Sequence, residues 1–349
     1  MDEKLVIGKW EAVFMLVNVI GLKSLTVYPS FLKTLSSSGC WLAAIFGSVA
    51  AFGITGLIFY RYRKSTDHSF PEIIERRFGN LTANAVVIFA IISMITTFSF
   101  FVDFIANSLS VTHFSMTPKW VLCLILILPA MHGAYKGVGA SVRITALCGI
   151  ATTVLFFITF VSVMSDTNVS NIYPIFGKDY NTFFQAVLFS LSIYADLFLI
   201  LFLMPNIEKK KDILFVWRRA FFISAAIFIL TVIMVQTSFM PEGYSTVSAV
   251  DRAEAYVKIG RLYARTERLF SVVWLVSYMC SFSIYCSHIC EFAQSLTGLD
   301  RRFIITAIGV IVFVISVSYS KLADAMTLLS FAWLALPLFT SFKRERERK

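Results

Sequence analysis

Residues 17–29, VNVIGLKSLTVYP, place a lysine inside the first long apolar segment of the chain. This segment covers residues 10–32, and Lys23 lies close to its middle. A charge at the centre of a bilayer costs roughly 2.5–3.5 kcal/mol even on the most lenient insertion scale, so it needs a partner or a water-filled cavity. Lys23 therefore indicates a point where neighbouring helices supply polar groups.

The composition is that of a membrane protein. Of the 349 residues, 58% are hydrophobic, 15% are charged and 35 are phenylalanine, whereas an ordinary soluble protein is about 45–50% apolar. The start, MDEKLVIGKW, has mixed charge, and no small-residue cleavage pattern follows the first apolar run. We therefore expect an all-α integral membrane protein that retains its first helix.

Ten apolar runs are long enough to cross a hydrocarbon core of roughly 30 Å. They predict ten transmembrane helices, here called spans 1 to 10, over residues 10–32, 39–60, 84–111, 119–135, 143–165, 182–204, 216–238, 268–291, 302–319 and 322–341.

The charges of the connecting segments predict the orientation. With both termini in the cytoplasm, the inner side collects 21 of the 31 Lys and Arg residues, including the basic tail 342–349, and the outer side collects 9. This asymmetry follows the positive-inside rule, so the net charge of +10 needs no nucleic-acid partner. The outer loop 239–268 shows helical spacing and is expected to form short helices over the outer face or a plain connector.

Three charged residues lie within the spans, namely Lys23, Asp103 in span 3 and Asp196 in span 6. Lys23 and Asp196 are both near midplane, and Asp103 lies farther out. Lys23 can therefore form an ion pair with Asp196 or with Asp103, act in a ligand site, or do both. His288 and Glu291, near the end of span 8, are expected to reach the lipid headgroups.

Two spans are predicted to be broken. Gly21 weakens span 1, while Ser24 and Thr26 offer competing hydrogen bonds to its backbone; in span 6, Ser190 and Ser192 favour similar unwinding near Asp196. Irregular backbone persists in a membrane only where protein or a water-filled cavity satisfies it. Breaks in spans 1 and 6 predict a LeuT-like inverted repeat of five plus five helices in a single domain, residues 1–349, with repeats at about 10–165 and 182–341.

In such a fold the broken helices face each other at midplane, where half-helix N-termini bind an anion such as an amino-acid carboxylate. We therefore expect a small-molecule site between spans 1, 3, 6 and 8. Its candidate ligand-binding residues are Gly21, Leu22, Lys23, Ser24, Asp103, Ser192, Tyr194 and Asp196.

No pattern in the sequence indicates an enzyme, a metal centre or a cofactor. Cys286, His288 and Cys290 form the stretch CSHIC, but on a helix the histidine points away from the face that the two cysteines share. The six cysteines are therefore interpreted as small packing residues. The glycine-rich stretch GVGAS follows no strand, which disfavours a phosphate-binding loop.

Three stretches together resemble the B subunit of the GerA-type spore germinant receptors, in the amino acid–polyamine–organocation transporter superfamily. They are VIGKWEAVFMLVNVIG (6–21), YKGVGASVRI (135–144) and YARTERLFSVVW (263–274). The family positions matched here are Gly137, Arg143, Arg265, Glu267 and Trp274. The chain departs from the family at Gly139, where an acidic residue is expected, and at Lys23, where a small residue is expected.

The resemblance implies a receptor of the spore inner membrane that recognises an amino acid, nucleoside or sugar beside an A-type membrane subunit and a C-type lipoprotein. Lys23 then serves as an anion clamp or as a fixed counter-charge. Two other functions stay open at this point: an autonomous proton-coupled amino-acid permease that titrates Asp103 or Asp196, and a scaffold that only anchors partner proteins.

Overall fold

The computed structural model describes residues 6–63, 68–164, 167–177, 179–238, 266–318, 328–332, 335–337 and 340. The described residues form helices and connections, apart from one isolated parallel β-bridge between Ile7 and Ile207. The helices are α1 Lys9–Leu25, α2 Val27–Ser36, α3 Cys40–Tyr62, α4 Phe70–Phe78, α5 Asn80–Thr112, α6 Lys119–Tyr135, α7 Val138–Val163, α8 Tyr180–Ser192, α9 Leu199–Leu203, α10 Ile213–Ser238, α11 Thr266–Thr297 and α12 Arg301–Ser318.

Predicted spans 1 to 9 all coincide with helices. Among the described residues, seven helical stretches are long and apolar enough to cross a membrane, and α6 is a shorter apolar helix. Spans 2 to 5 correspond to α3, α5, α6 and α7, and spans 7 to 9 correspond to α10, α11 and α12. Most of span 10, nearly all of the outer loop 239–268 and the tail 342–349 lie outside the described residues.

Helix α4 was not predicted from the sequence. This short helix follows α3 and packs against α5. It begins with a capping box, in which the Ser69 backbone N–H donates to the Glu72 carboxylate at 3.2 Å. The Ser-x-x-Glu spacing before an apolar residue is a known start signal for a helix, so this signal was present in the sequence.

Helix α1 lies at the centre of the bundle. It contacts α7, α10, α11 and the irregular segment that follows α8, and every residue from Met15 to Leu25 is buried. A helix that is apolar all round is one that other protein elements surround. Any polar residue between Met15 and Leu25 therefore meets protein groups and not lipid.

Both predicted helix breaks are present. Helix α1 ends at Leu25, Thr26 leaves helical geometry with φ −112° and ψ −79°, and α2 begins at Val27. In span 6, α8 ends at Ser192 and a 3₁₀ segment, Ile193–Phe198, leads into α9. The chain thus unwinds in both spans at the polar residues that the sequence indicated.

The break in span 1 lies at Thr26 and not at Gly21. The hydroxyls of Ser24 and Thr26 donate to the carbonyls of Ile20 and Leu22 at 2.9 and 2.8 Å, and such bonds to the preceding turn bend helices. Gly21 itself is helical, and a Cβ atom added there would only touch the Ile227 side chain at 3.9 Å. Hydroxyl competition therefore explains the break, and glycine flexibility does not.

A glycine sets the close approach of α7 to α1. A Cβ atom added at Gly149 would collide with the Phe14 carbonyl oxygen and would lie 3.2 Å from the Cβ of Asn18. At Gly53 on α3, an added Cβ atom would meet nothing within 4 Å. Only the first of these two helical glycines is required by packing.

Gly149→Ala is expected to lower the free energy of unfolding by about 1–3 kcal/mol, because overpacking forces α1 and α7 apart. Gly53→Ala serves as the matched control and is expected to be neutral or to stabilise by roughly 0.5–1 kcal/mol, since alanine favours a helix. Thermal unfolding in detergent measures both variants. Equal stabilities of the two variants would contradict the close packing of α1 on α7.

Candidate functional site

An ion pair joins the two helix breaks. Lys23 Nζ on α1 binds Asp196 Oδ2 in the 3₁₀ segment. The side chains are only 6% and 10% exposed, respectively. Of the two carboxylates that the sequence left open as partners, Asp196 is therefore the one that Lys23 meets. Because the pair is buried, each charge depends on the other for its stability.

Aromatic rings from two further helices enclose the lysine. Lys23 Nζ lies 5.3 Å from the ring centre of Phe101 on α5 and 5.8 Å from that of Tyr285 on α11. Both distances are within the range of cation–π attraction. The four spans predicted for the site, 1, 3, 6 and 8, thus all contribute side chains around Lys23.

Leu22 and Ser24 contribute to the site through the backbone of α1. The Leu22 carbonyl accepts hydrogen bonds from Thr26 Oγ1 and, at 3.1 Å, from the hydroxyl of Tyr278 on α11. Ser24 is fully buried, and its hydroxyl donates to the Ile20 carbonyl of its own helix. These contacts stabilise the end of α1 beside Lys23.

Ser192 and Tyr194 position the 3₁₀ segment. The Ser192 hydroxyl lies 3.1 Å from the hydroxyl of Tyr28 on α2, and the Tyr194 hydroxyl lies 2.7 Å from that of Ser48 on α3. These bonds attach the backbone just before Asp196 to two helices, α2 and α3. The two residues therefore hold the segment from which Asp196 projects.

The structure does not bring Asp103 to Lys23. Its carboxylate binds Lys119 at the start of α6 and accepts a hydrogen bond from Asn107 at 3.2 Å. The Lys119 side chain is 35% exposed and the Asp103 side chain 20% exposed, so this second ion pair lies nearer to the edge of the protein. Asp103 therefore forms an ion pair between α5 and α6, and it is not part of the Lys23–Asp196 pair at the helix breaks.

Cavities approach the Lys23–Asp196 pair from two sides. A cavity of about 400 Å³ between α5 and α11 includes Leu109, His113 and Leu275 in its wall. These three residues also line a recess of about 40 Å³ that reaches Thr26 and Tyr278. On the other side, a small cavity is lined by Asp196, Tyr285 and polar residues of α5. The ion pair therefore lies between two cavities.

A polar cluster that the sequence analysis missed connects α1 to α7 and α11. The Asn18 amide donates to the Ser277 carbonyl at 3.1 Å and to the Ser281 hydroxyl at 2.9 Å. Thr152 on α7 donates to the Asn18 side-chain oxygen at 3.1 Å. The sequence did contain a signal for this cluster, namely a single asparagine in span 1. A buried amide needs hydrogen-bond partners, as a buried charge does.

The family positions have structural roles where the structure describes them. Gly137 has φ +101° directly before α7, a conformation that favours glycine. Arg143 lies 3.9 Å from the Glu11 carboxylate, which links α7 to α1. Trp274 is buried on α11. Arg265 and the side chain of Glu267 lie outside the described residues.

The expectation that His288 reaches the headgroups is wrong. This side chain is fully buried, its Nδ1–H bonds the Ile284 carbonyl at 2.9 Å, and its ring contacts Phe202 and Phe292. Helix α11 continues to Thr297, so His288 lies well inside the helix. Among the described residues, no three potential metal ligands come together.

Lys23→Met and Asp196→Leu are each expected to lower the free energy of unfolding by about 3–5 kcal/mol, because each leaves a buried charge without its partner. The double variant Lys23→Met/Asp196→Leu is expected to lose far less than the sum. Lys119→Met, in the more exposed pair, is the control and should cost about 0–1 kcal/mol. Additive losses in a double-mutant cycle would contradict the ion pair.

Comparisons with known proteins agree with this fold. Mhp1, a nucleobase-cation-symport-1 family transporter in a closed conformation with bromovinylhydantoin bound, aligns with 97% of this chain and 78% of its own, at 10% identity and a TM-score of 0.67. A Na⁺-coupled sialic acid symporter in a substrate-bound outward-open state aligns with 96% of this chain and 79% of its own, at 14% identity and a TM-score of 0.65.

MhsT in complex with L-phenylalanine aligns with 97% of this chain and 89% of its own, at 11% identity and a TM-score of 0.70. At these identities the likeness shows the fold alone, which is the LeuT-like transporter fold that the sequence predicted. No curated protein matches the chain in sequence. The sequence model of the spore permease family, whose description is "Spore germination protein", matches residues 7–325. Because this match spans nearly the whole chain, the protein belongs to the spore permease family of spore germination proteins.

Proposed function

We propose that this chain is the nutrient-sensing subunit of a spore germinant receptor. A small nutrient, with an amino acid as the best candidate, binds at the Lys23–Asp196 pair between α1, α5, the 3₁₀ segment and α11. The observation that carries the proposal is the buried ion pair at two helix breaks. The family match and the transporter fold support it, because both are associated with small-molecule ligands.

An amino acid is suited to this site because it carries both charges. Its carboxylate can pair with Lys23 while its ammonium group pairs with Asp196. The ligand carboxylate then takes the place of Asp196 beside Lys23, and the ligand ammonium group takes the place of Lys23 beside Asp196. Neither buried residue is left as an unpaired ion, which would be costly. A ligand of one charge only would leave the opposite residue unpaired.

Binding becomes a signal when the ligand prefers one conformation. Parting Lys23 from Asp196 changes how α1 meets the 3₁₀ segment, and a ligand that binds the parted state shifts the population toward it. In the proposed receptor, the A-type membrane subunit and the C-type lipoprotein detect this shift. The resemblance favours the spore inner membrane, and the charge asymmetry favours an orientation with both termini in the cytoplasm.

An autonomous proton-coupled amino-acid permease is the second candidate. The cavities on both sides of the ion pair favour it, because alternating access needs a path from each side to one site. Asp196 would then be the carboxylate that takes part in proton coupling, since it lies at the helix breaks and lines one of the two cavities. Net uptake of amino acid by the isolated chain in liposomes would favour the permease over the sensor.

The proposed site predicts a ligand-dependent stability. Thermal unfolding of the purified chain, alone and with its partner subunits, is measured against amino acids, nucleosides and sugars. A ligand at a hundredfold excess over Kd adds roughly 2.7 kcal/mol. The double variant Lys23→Met/Asp196→Leu, which leaves no unpaired charge, should unfold at a ligand-independent temperature, and Lys119→Met should respond as the natural chain does.

Two results would contradict the proposal. One is a full ligand response in the double variant, which would place the site away from the ion pair. The other is the absence of any response in the natural chain, both alone and in the assembled receptor, which would favour the scaffold function.

A further inference from the structure

Two cations converge on one aromatic ring where α1 and α10 begin. Lys9 Nζ lies 5.1 Å from the ring centre of Phe215, and the guanidinium carbon of Arg219 lies 5.6 Å from the same centre. Both distances are within the range of cation–π attraction. Two positive charges that share one ring also repel each other. We call Lys9, Phe215 and Arg219 together the basic patch.

Within the part of the chain that the structure describes, no carboxylate neutralises the basic patch. Neither Lys9 nor Arg219 forms an ion pair there, and both side chains are exposed. The carboxylate of Glu11, two residues after Lys9, instead lies 3.9 Å from Arg143 and accepts a hydrogen bond from the Gly8 backbone N–H at 3.0 Å. The patch therefore has room and charge for an anion from outside the chain.

Backbone pairing holds the basic patch together. The Ile7 N–H donates to the Asn206 carbonyl at 2.8 Å, and the Glu208 N–H donates to the Ile7 carbonyl at 3.0 Å. These bonds attach the residues before α1 to the connection that leads into α10. Glu208 and Asp212, the acidic residues of that connection, form no ion pair with the patch among the described residues. Backbone structure, and not a counter-ion within the chain, therefore keeps the two cations close.

The basic patch borders an apolar surface. Trp10 is 47% exposed, and its ring lies edge-on to Phe215 with 5.3 Å between the ring centres. Exposed tryptophans are typical of the level at which lipid headgroups meet hydrocarbon. On the next turn of α10 after Arg219, Phe222 is 57% exposed. A phospholipid headgroup at the patch would therefore place its acyl chains beside apolar side chains.

We propose that the basic patch binds the phosphate of an anionic phospholipid, phosphatidylglycerol being the simplest, and that this lipid fastens the start of α1 to α10. One phosphate accepts charge-assisted hydrogen bonds from an ammonium and a guanidinium group together, and basic sites between membrane helices bind anionic headgroups in this way. Phosphatidylcholine carries the same phosphate but brings a third positive charge. The preference for the anionic lipid therefore follows from charge, and it does not depend on the proposed nutrient site.

Native mass spectrometry of the purified full-length chain tests the proposal, with phosphatidylglycerol or phosphatidylcholine added to the detergent micelles. The natural chain should retain phosphatidylglycerol in preference to phosphatidylcholine. Each basic residue near the membrane surface strengthens the binding of an anionic lipid about fivefold, so Lys9→Gln/Arg219→Gln should bind phosphatidylglycerol about 25-fold more weakly. Lys9→Arg/Arg219→Lys keeps both charges and should bind it as the natural chain does.

Two separate cation–π pairs supply the matched control. The guanidinium carbon of Arg63 lies 3.9 Å from the ring centre of Tyr60, and that of Arg302 lies 5.7 Å from the ring centre of Tyr135. Both arginines are exposed, and the predicted topology places them on the same side of the membrane as Lys9. Arg63→Gln/Arg302→Gln removes the same net charge as the patch variant, so it should leave the binding of phosphatidylglycerol nearly unchanged.

Three results would refute the lipid site. One is a Lys9→Gln/Arg219→Gln variant that loses no more binding than the control, because the positive side of the protein would then attract the lipid only diffusely. Another is equal retention of the two lipids by the natural chain. The third is displacement of phosphatidylglycerol by inorganic phosphate at an equal concentration, which would assign the patch to a free anion. The unfolding temperature without added lipid shows that each variant is folded.

Discussion

A lysine and a carboxylate can stay buried in a membrane protein only if each neutralises the other. Lys23 and Asp196 meet this constraint by coming together from two different spans. Their contact requires α1 to lie inside the bundle, where α7, α10 and α11 surround it. The location of the proposed ligand site therefore depends on one electrostatic pair.

The pair also requires irregular backbone at both of its ends. Such backbone must find hydrogen-bond partners within the protein. Ser24 and Thr26 satisfy carbonyls of α1, while Ser192 and Tyr194 attach the 3₁₀ segment to α2 and α3. Several residues predicted to bind ligand thus support the two charged side chains. A ligand that separates Lys23 from Asp196 acts where the backbone of both spans is irregular.

The sequence was sufficient for features that follow from length and charge, namely spans 1 to 9, the two broken helices and the need of Lys23 for a partner. The sequence was insufficient where a contact depends on how far one helix is shifted along its neighbour when the two pack. Lys119 at the start of α6 binds Asp103, which could not be read from Asp103 alone. His288 was misjudged because α11 continues beyond the apolar run to Thr297. Asn18 was missed because a neutral residue carries a weaker signal than a charge.

The most direct measurement is a cryo-electron microscopy structure of the chain, in its receptor complex, with a nutrient that stabilises it. We expect ligand density between α1 and the 3₁₀ segment, with a ligand carboxylate at Lys23, a ligand ammonium group at Asp196, and the two residues parted. A bound nutrient elsewhere, with the Lys23–Asp196 pair intact and unchanged from the ligand-free protein, would contradict it.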